Sequence, residues 1–272
     1  MPKPGPLIVA FSDLHVGSTV ALCHPDGIAL EDGGRYTPNI AQQWLWQRWL
    51  EFWNIIRAER KRRPVIGVMN GEFVDGKHHD STQLASAAPE IMASAALDVM
   101  AVAMPALSAL YVTRGTEAHS GHGAASDYAI ARELGAVKDP TTGMSAAYQW
   151  RIDIAGSIID AAHHISGGSR VSSRGNGIRA EMIDMLTTGD APDVLIRSHV
   201  HNYSDTGRNF WPRQAFVTPA WQLKTAYGHR VTRIRSQVVG GVLVEIEDGK
   251  PLPIRPLLYT VPLPSPHKAV LK

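Results

Sequence analysis

Five short apolar runs in this chain each end in residues that can hold a metal ion or move a proton. Asp13 and His15 follow Leu7–Phe11, and Glu72 and Asp75 follow Pro64–Met69. Thr116, Glu117 and His119 follow Ala109–Thr113, His163 and His164 follow Ser157–Ala162, and His199 and His201 follow Asp193–Ile196. A lone histidine at a strand end is more often a hydrogen-bonded structural residue than a ligand. Five such blocks are another matter, because α/β sheets gather their ligands beyond the carboxyl ends of the strands. The spacing of Asp13-x-His15 and His199-x-His201 keeps both members of each pair on one side of an extended chain. A carboxylate at Glu72 can bridge two cations, one on each oxygen. Mixed carboxylate and imidazole donors suit Mn, Fe, Zn, Ni or Co better than Ca. The only cysteine, Cys23, is absent from these blocks, which argues against a structural zinc knot.

The elements that must position these blocks alternate between strand and helix. The apolar runs at Leu7–Phe11, Pro64–Met69, Ala109–Thr113, Ser157–Ala162 and Asp193–Ile196 read as strands. Residues 18–38 read as a loop, and residues 39–63, 88–109, 124–134 and 181–186 as helices. Trp46, Trp49 and Trp53 fall at helical spacing and read first as core, with a base-stacking platform as the sharper alternative. Gln214–Val217, Val238–Ile246 and Pro253–Leu258 add strands near the end, with a hairpin signal at Asp248-Gly249. This order predicts an α/β fold. No repeat or linker divides the chain, so a single domain over residues 1–272 is expected.

With 44% hydrophobic and 19% charged residues, the chain has the composition of a soluble globular protein. A net charge of +2 does not by itself argue for nucleic acid. One cysteine permits no internal disulfide, in keeping with a reducing compartment. No run approaches the ~20 apolar residues of a membrane helix. A cytoplasmic protein without a membrane partner is expected; the oligomeric state is left open.

In order along the chain, Asp13-Leu14-His15, Gly71-Glu72-Phe73-Val74-Asp75-Gly76, Arg114-Gly115-Thr116-Glu117-Ala118-His119, His163 and Ser198-His199-Val200-His201 resemble the motifs of the calcineurin-like metallophosphoesterases. The Arg-Gly-Thr-Glu-Ala-His block is similar to that of phage and prophage phosphoesterases, which would place the protein in the host cytoplasm. The resemblance implies a four-layer α/β/β/α sandwich and a site for two divalent metal ions. One ion would take Asp13, His15 and His201. The other would take His163, His199 and a ligand from the third block, with Glu72 between them. His119 would lie near the leaving group. The implied activity is metal-assisted hydrolysis of a phosphate ester, most naturally a phosphodiester, with nucleic acid as a candidate substrate. Its rivals are a small-molecule phosphomonoesterase or phosphodiesterase, and a non-catalytic metal-binding scaffold of the same fold.

Two departures from the family pattern stand out. Glu72 replaces the family's aspartate, and Thr116-Glu117 stand where the family has an asparagine ligand. Glu117 is the expected substitute, because an anionic oxygen binds a divalent ion better than a hydroxyl does. Of the adjacent pair His163 and His164, only one should ligate, and His163 is preferred. Asp75 either orients a ligand or caps a turn. The glycine-rich stretch at residues 166–177 carries Arg170 and Arg174, which are candidates to contact substrate phosphate, with solvated charges on a flexible loop as the alternative reading. Arg230, Arg233 and Arg235, with Lys224 and Tyr227, form a basic stretch that can track a nucleic-acid backbone.

Overall fold

A computed structural model describes residues 5–61, 63–78, 81–165, 173, 175–231 and 237–262. The strands are β1 (Leu7–Phe11), β2 (Ile28–Ala29), β3 (Arg35–Tyr36), β4 (Val65–Asn70), β5 (Ala109–Thr113), β6 (Gln149–Ile154), β7 (Ser157–Ala162), β8 (Val194–Arg197), β9 (Ser204–Asp205), β10 (Gln214–Val217), β11 (Val238–Glu247), β12 (Lys250–Pro251) and β13 (Arg255–Thr260). The α-helices are α1 (Ile40–Glu59), α2 (Pro89–Met100), α3 (Glu117–Ser120), α4 (Ala125–Glu133), α5 (Asn176–Thr188) and α6 (Ala226–Val231).

Two sheets stack face to face with helices outside both. The first runs β12-β11-β1-β4-β5, with β13 also on β11; the second runs β6-β7-β8-β10-β9. Alternation along β1 explains the layering. Leu7, Val9 and Phe11 face α1, α2 and α4, where Trp49, Phe52, Trp53, Val99, Met100 and Ile130 are buried. Ile8 and Ala10 face the second sheet and pack with Trp150, Ile159, Ile196 and Phe216. On the far side, Ile178 and Met182 of α5 cover Leu195, Ala215 and Val217. The result is a four-layer α/β/β/α sandwich. Its central strands are buried on both faces, which is why β1 and β4 read as nearly continuous apolar runs. The tryptophan stripe of α1 is core, with Trp49 and Trp53 fully buried. On the same helix Leu45 and Phe52 are fully buried, and each such side chain contributes about 1.5–3 kcal/mol relative to exposure. Among the described residues no helix is long and apolar enough to cross a membrane.

The sequence reading placed no strand at residues 149–154. These residues form β6, which pairs antiparallel with β7. Trp150 and Ile154 are buried while Gln149, Arg151 and Asp153 are exposed, the alternation of a strand with one wet face. The connecting Ala155 and Gly156 both have positive φ, at 52° and 91°. This is a two-residue hairpin turn of the kind normally signalled by Asn-Gly, written here with Ala-Gly. The α5 helix begins at Asn176, five residues earlier than its apolar stripe suggests, and the 88–109 segment breaks after Met100 into a short 3-10 turn at Met104–Ala106.

Parallel pairing carries the strand ends to one edge. β1 and β5 flank β4 in parallel, with Phe11 beside Met69 and Asn70 beside Thr113. In the second sheet β7, β8 and β10 are mutually parallel, so Ala162, Arg197 and Val217 end on a common side. Asn70 then joins the sheets: its amide nitrogen donates to Ala162 O at 2.9 Å and meets Ser198 Oγ at 3.0 Å, and its Oδ1 accepts from Thr113 Oγ1 at 2.8 Å. At the other end of the seam Ser12 Oγ lies 2.6 Å from Thr218 Oγ1.

Candidate metal centre

The loops after β1 and β4 are zipped together. Asp13 N donates to Gly71 O at 3.0 Å, and Leu14 N to Glu72 O at 2.9 Å. The pairs Asp13/His15 and His199/His201 do not continue their strands as the spacing suggested. Asp13, His15, Glu72, His199 and His201 all adopt left-handed backbone, with φ between 45° and 73°. Each such residue costs free energy, of order 1–3 kcal/mol, that the surrounding structure must offset, and such strain concentrates at functional sites. Tight turns, rather than strand alternation, aim these side chains inward. Gly71 is required at the centre: its φ is +84°, and a Cβ there would lie 2.5 Å from His163 Nδ1.

Three sets of ligand-capable atoms result among the described residues: Glu72 belongs to the first two, and His15, Asp75 and His119 form the third. In the first, His15 Nε2 lies 3.0 Å from His201 Nε2 and 3.1 Å from Glu72 Oε2, and His201 Nε2 lies 3.3 Å from Asp13 Oδ1. In the second, His163 Nε2 lies 3.2 Å from Glu72 Oε1, and His199 completes the group, its ring centroid 5.3 Å from that of His163. The far nitrogens are anchored. His163 Nδ1 sits 2.7 Å from Asn70 O, and His15 Nδ1 sits 3.1 Å from Asp75 Oδ1. A nitrogen donating to a carbonyl or carboxylate leaves the other with its lone pair directed inward, the usual support of a metal-binding imidazole.

The inward atoms lack partners of their own. Asp13 Oδ1, Glu72 Oε2, His163 Nε2 and His199 Nδ1 are buried and make no hydrogen bond among the described residues. Buried polar atoms are otherwise almost always paired. The charge is unbalanced as well. Asp13, Glu72 and Asp75 are at most 1% exposed, and among the described residues only imidazoles come within ion-pair distance of them. Burial raises the Glu72 carboxyl, but His163 and His15 outweigh this and hold it well below the usual range. Burial lowers His15 and His163, and the facing carboxylates more than reverse it; His15 rises well above its ordinary value and His163 rises to about 9. His199, with less compensation, is pushed down to about 4, chiefly by burial. Protons or divalent cations can neutralise such a cluster, and orphaned oxygen and nitrogen lone pairs converging on one volume fit cations.

Beside this volume stands His119, on α3. Its Nδ1 lies 2.8 Å from Asp75 Oδ1, and its ring packs edge-on against His15 at 4.5 Å between centroids. The side chain is 15% exposed, so it borders the mouth of the site. Burial and the neighbouring His15 lower its pKa, against the pull of Asp75. Asp75 orients histidines rather than capping a turn.

Not every expected residue joins the cluster. Glu117 turns outward, 65% exposed, where Oε1 accepts from Gly123 N at 2.8 Å and Oε2 lies 3.7 Å from His122 Nδ1. As the first residue of α3 it faces solvent, and the expectation that it replaces the asparagine ligand is corrected. Thr116, its neighbour, reaches the cluster instead: its Oγ1 donates to Glu72 Oε1 at 2.6 Å. His164 is exposed and packs against His199, at 4.8 Å between centroids. Arg170, Arg174, Arg233 and Arg235 lie outside the described residues.

Sequence reasoning missed Asp127. This fully buried carboxylate accepts from Gly115 N at 2.7 Å, Phe73 N at 3.0 Å and Ser120 Oγ at 2.8 Å. It thereby locks the Glu72 loop to the Thr116 loop. Its only signal was an acidic residue in the first turn of a short helix, which is an ordinary helix-dipole position.

No family model matches the sequence, and neither does any curated protein. Among solved structures the chain is similar to wild-type Vps29 complexed with zinc from Entamoeba histolytica, at 11% identity over 93% of this chain and 98% of that one, with a TM-score of 0.42. It is similar to a conserved uncharacterized protein from Streptococcus pneumoniae TIGR4 described as a predicted phosphoesterase, at 10% identity over 96% and 99% of the two chains, with a TM-score of 0.37. It is also similar to the sulfate thiohydrolase SoxB of Thermus thermophilus, at 11% identity over 96% of this chain and 57% of that one, with a TM-score of 0.42. What the site can do is decided by its own side chains.

Proposed function

We propose that the protein is a metal-dependent phosphoesterase that hydrolyses phosphodiester bonds, nucleic acid being the first polymer to test. The observation that carries this reading is the division of Glu72, with Oε2 facing His15 and Oε1 facing His163. One carboxylate between two imidazole groups is the arrangement that serves two cations. Asp13, His15 and His201 would hold one, and His163 and His199 the other. When bound, such cations polarise phosphoryl oxygens and make a bound water acidic enough to attack phosphorus near neutral pH. The chain's own residues do the rest. Thr116 fixes the Glu72 carboxylate, Asn70 and Asp75 fix the imidazoles, and His119, held at Nδ1, presents Nε2 to the departing oxygen and can deliver a proton there.

The rival reading of a non-catalytic scaffold drew its support from the departures at positions 72 and 116–117. Both replacements still contribute, since Glu72 spans the two groups and Thr116 bonds to it. Comparison of p-nitrophenyl phosphate with bis(p-nitrophenyl) phosphate, using metal-stripped protein resupplied with Mn²⁺, Zn²⁺ or Co²⁺, tests the class. Preferential hydrolysis of the diester supports the proposal. Preference for the monoester moves the assignment to a phosphomonoesterase, and no turnover of either by a folded, metal-loaded chain supports the scaffold.

A further inference from the structure

His78 has no role in the reading above, yet its surroundings are those of the site. Its Nε2 lies 3.0 Å from Asp75 Oδ1, the oxygen that also meets His119 Nδ1 at 2.8 Å and His15 Nδ1 at 3.1 Å. The other carboxylate oxygen, Oδ2, accepts from Gln222 Nε2 at 3.3 Å, and Gln222 is itself held where its carbonyl accepts from Gln237 Nε2 at 2.7 Å. The His78 ring also packs on His119, at 4.0 Å between centroids and an angle of 60°, on a side chain only 8% exposed. His15 packs on His119 as well, at 4.5 Å and 78°. His119 is thus pinned at Nδ1 and packed by two rings, which leaves Nε2 as its one working atom.

We propose that His78 is a positioning residue for His119, and that it matters in proportion to how much the leaving group needs a proton. This inference rests on the phosphoesterase reading and names its substrate class: diesters whose leaving group is a basic oxygen. In the hydrolysis, the water oxygen forms a bond to phosphorus and releases a proton to solvent, the bond from phosphorus to the leaving oxygen breaks, and that oxygen takes the Nε2 proton of doubly protonated His119, which keeps its Nδ1 proton on Asp75. The imidazole regains a proton from solvent. A ring rotated away from Asp75 would direct Nε2 elsewhere. A nitrophenolate departs without a proton and would tolerate this, whereas a phenolate or alkoxide would not.

The test is a leaving-group series of methyl aryl phosphodiesters, from p-nitrophenyl to phenyl, hydrolysed by Mn²⁺-loaded wild type, His78→Ala, His78→Gln and His119→Ala. A positioned proton donor is worth roughly 10²–10⁴-fold in rate where a proton is needed. His78→Ala should therefore lower kcat for the phenyl ester about tenfold or more, and for the p-nitrophenyl ester less than about twofold, with KM little changed. His78→Gln, which keeps a donor for Asp75, should recover most of the loss. An equal loss on both esters, or none on either, overturns the inference. A wild-type chain with no metal-dependent turnover counts against the phosphoesterase reading itself, and a second measurement then decides His78 alone. At a pH where His119 is neutral, imidazole ¹⁵N spectra of the metal-free protein should show its remaining proton on Nδ1 in the wild type and in His78→Gln, and a tautomer mixture in His78→Ala. An unchanged His119 signal in His78→Ala overturns the inference.

Discussion

The hydroxyl of Thr116 donates to Glu72 Oε1 at 2.6 Å, and that oxygen also faces His163 Nε2 at 3.2 Å. The residue after Gly115 therefore acts on the carboxylate shared by two candidate ligand groups, while its acidic neighbour Glu117 stands in solvent. Thr116→Val removes the donor and keeps the shape. Partners of this kind are worth roughly 10–100-fold in metal affinity. The variant should lose about that much at the second cation, read by titration with Zn²⁺, whereas Glu117→Ala should bind both ions as the wild type does. Loss of an ion from Glu117→Ala, with Thr116→Val unaffected, would reverse the assignment.

Metal uptake should release protons. Without metal, the Glu72 carboxylate outweighs burial to raise His163 to about 9, and the Asp75 and Glu72 carboxylates raise His15 well above its ordinary value. His163 is then charged at pH 7.5, and His15 holds its proton more tightly than an ordinary imidazole; each must become neutral to offer a lone pair to a cation. His199, at about 4, is already neutral and contributes none. Calorimetric titration in buffers of different ionisation enthalpy should show release of one to two protons per chain at pH 7.5 and less above pH 9. A binding enthalpy independent of the buffer would contradict the charge balance described.

Asp127 should be more important for folding than His199. His199→Ala leaves a cavity at the mouth, but Asp127→Ala strands the buried donors of Gly115, Phe73 and Ser120. Each unsatisfied buried donor costs ~1–3 kcal/mol. Urea denaturation of the metal-free chain should show a loss of about 3 kcal/mol or more for Asp127→Ala. For His199→Ala, a change below about 1 kcal/mol is expected. Equal midpoints would show that the two loops are held by something else.

Cys23 should be inert while the protein is folded. The side chain is 1% exposed, and burial pushes its thiol up to about 11. The thiolate is the reactive form. Ellman's reagent at pH 8 should label the native chain only at the rate of unfolding, and one equivalent at once in denaturant. Rapid labelling of the native chain would place Cys23 elsewhere.

Sequence order made much of this legible. The blocks at Asp13, Glu72, His163, His199 and His201 stand out because parallel strands force their polar ends to one edge, and β1 and β4 are apolar enough to be recognised alone. Glu117 misled because charge outranked position: Thr116 and Glu117 are adjacent, and the helix that begins at Glu117 turns the carboxylate outward. Asp127 and Asn70 were silent because their partners are backbone groups and residues far along the chain, and no spacing records such contacts. In Lys77-His78-His79-Asp80, His78 reads from sequence as an exposed polar loop residue, with substrate contact as the alternative, until the fold brings Asp75 and His119 to it. β6 was hidden by its wet face and by an Ala-Gly turn.

The most direct test of the central claim counts metal and turnover in the same samples. Stripped protein is resupplied with increasing Mn²⁺, bound metal is measured per chain, and bis(p-nitrophenyl) phosphate hydrolysis is followed for the wild type, Glu72→Ala and His199→Ala. The account predicts two ions bound per wild-type chain, activity that appears as they fill, and loss of both metal and activity in each variant while the fold persists. Turnover undiminished by metal removal, or folded wild-type protein that binds no divalent metal, would contradict it.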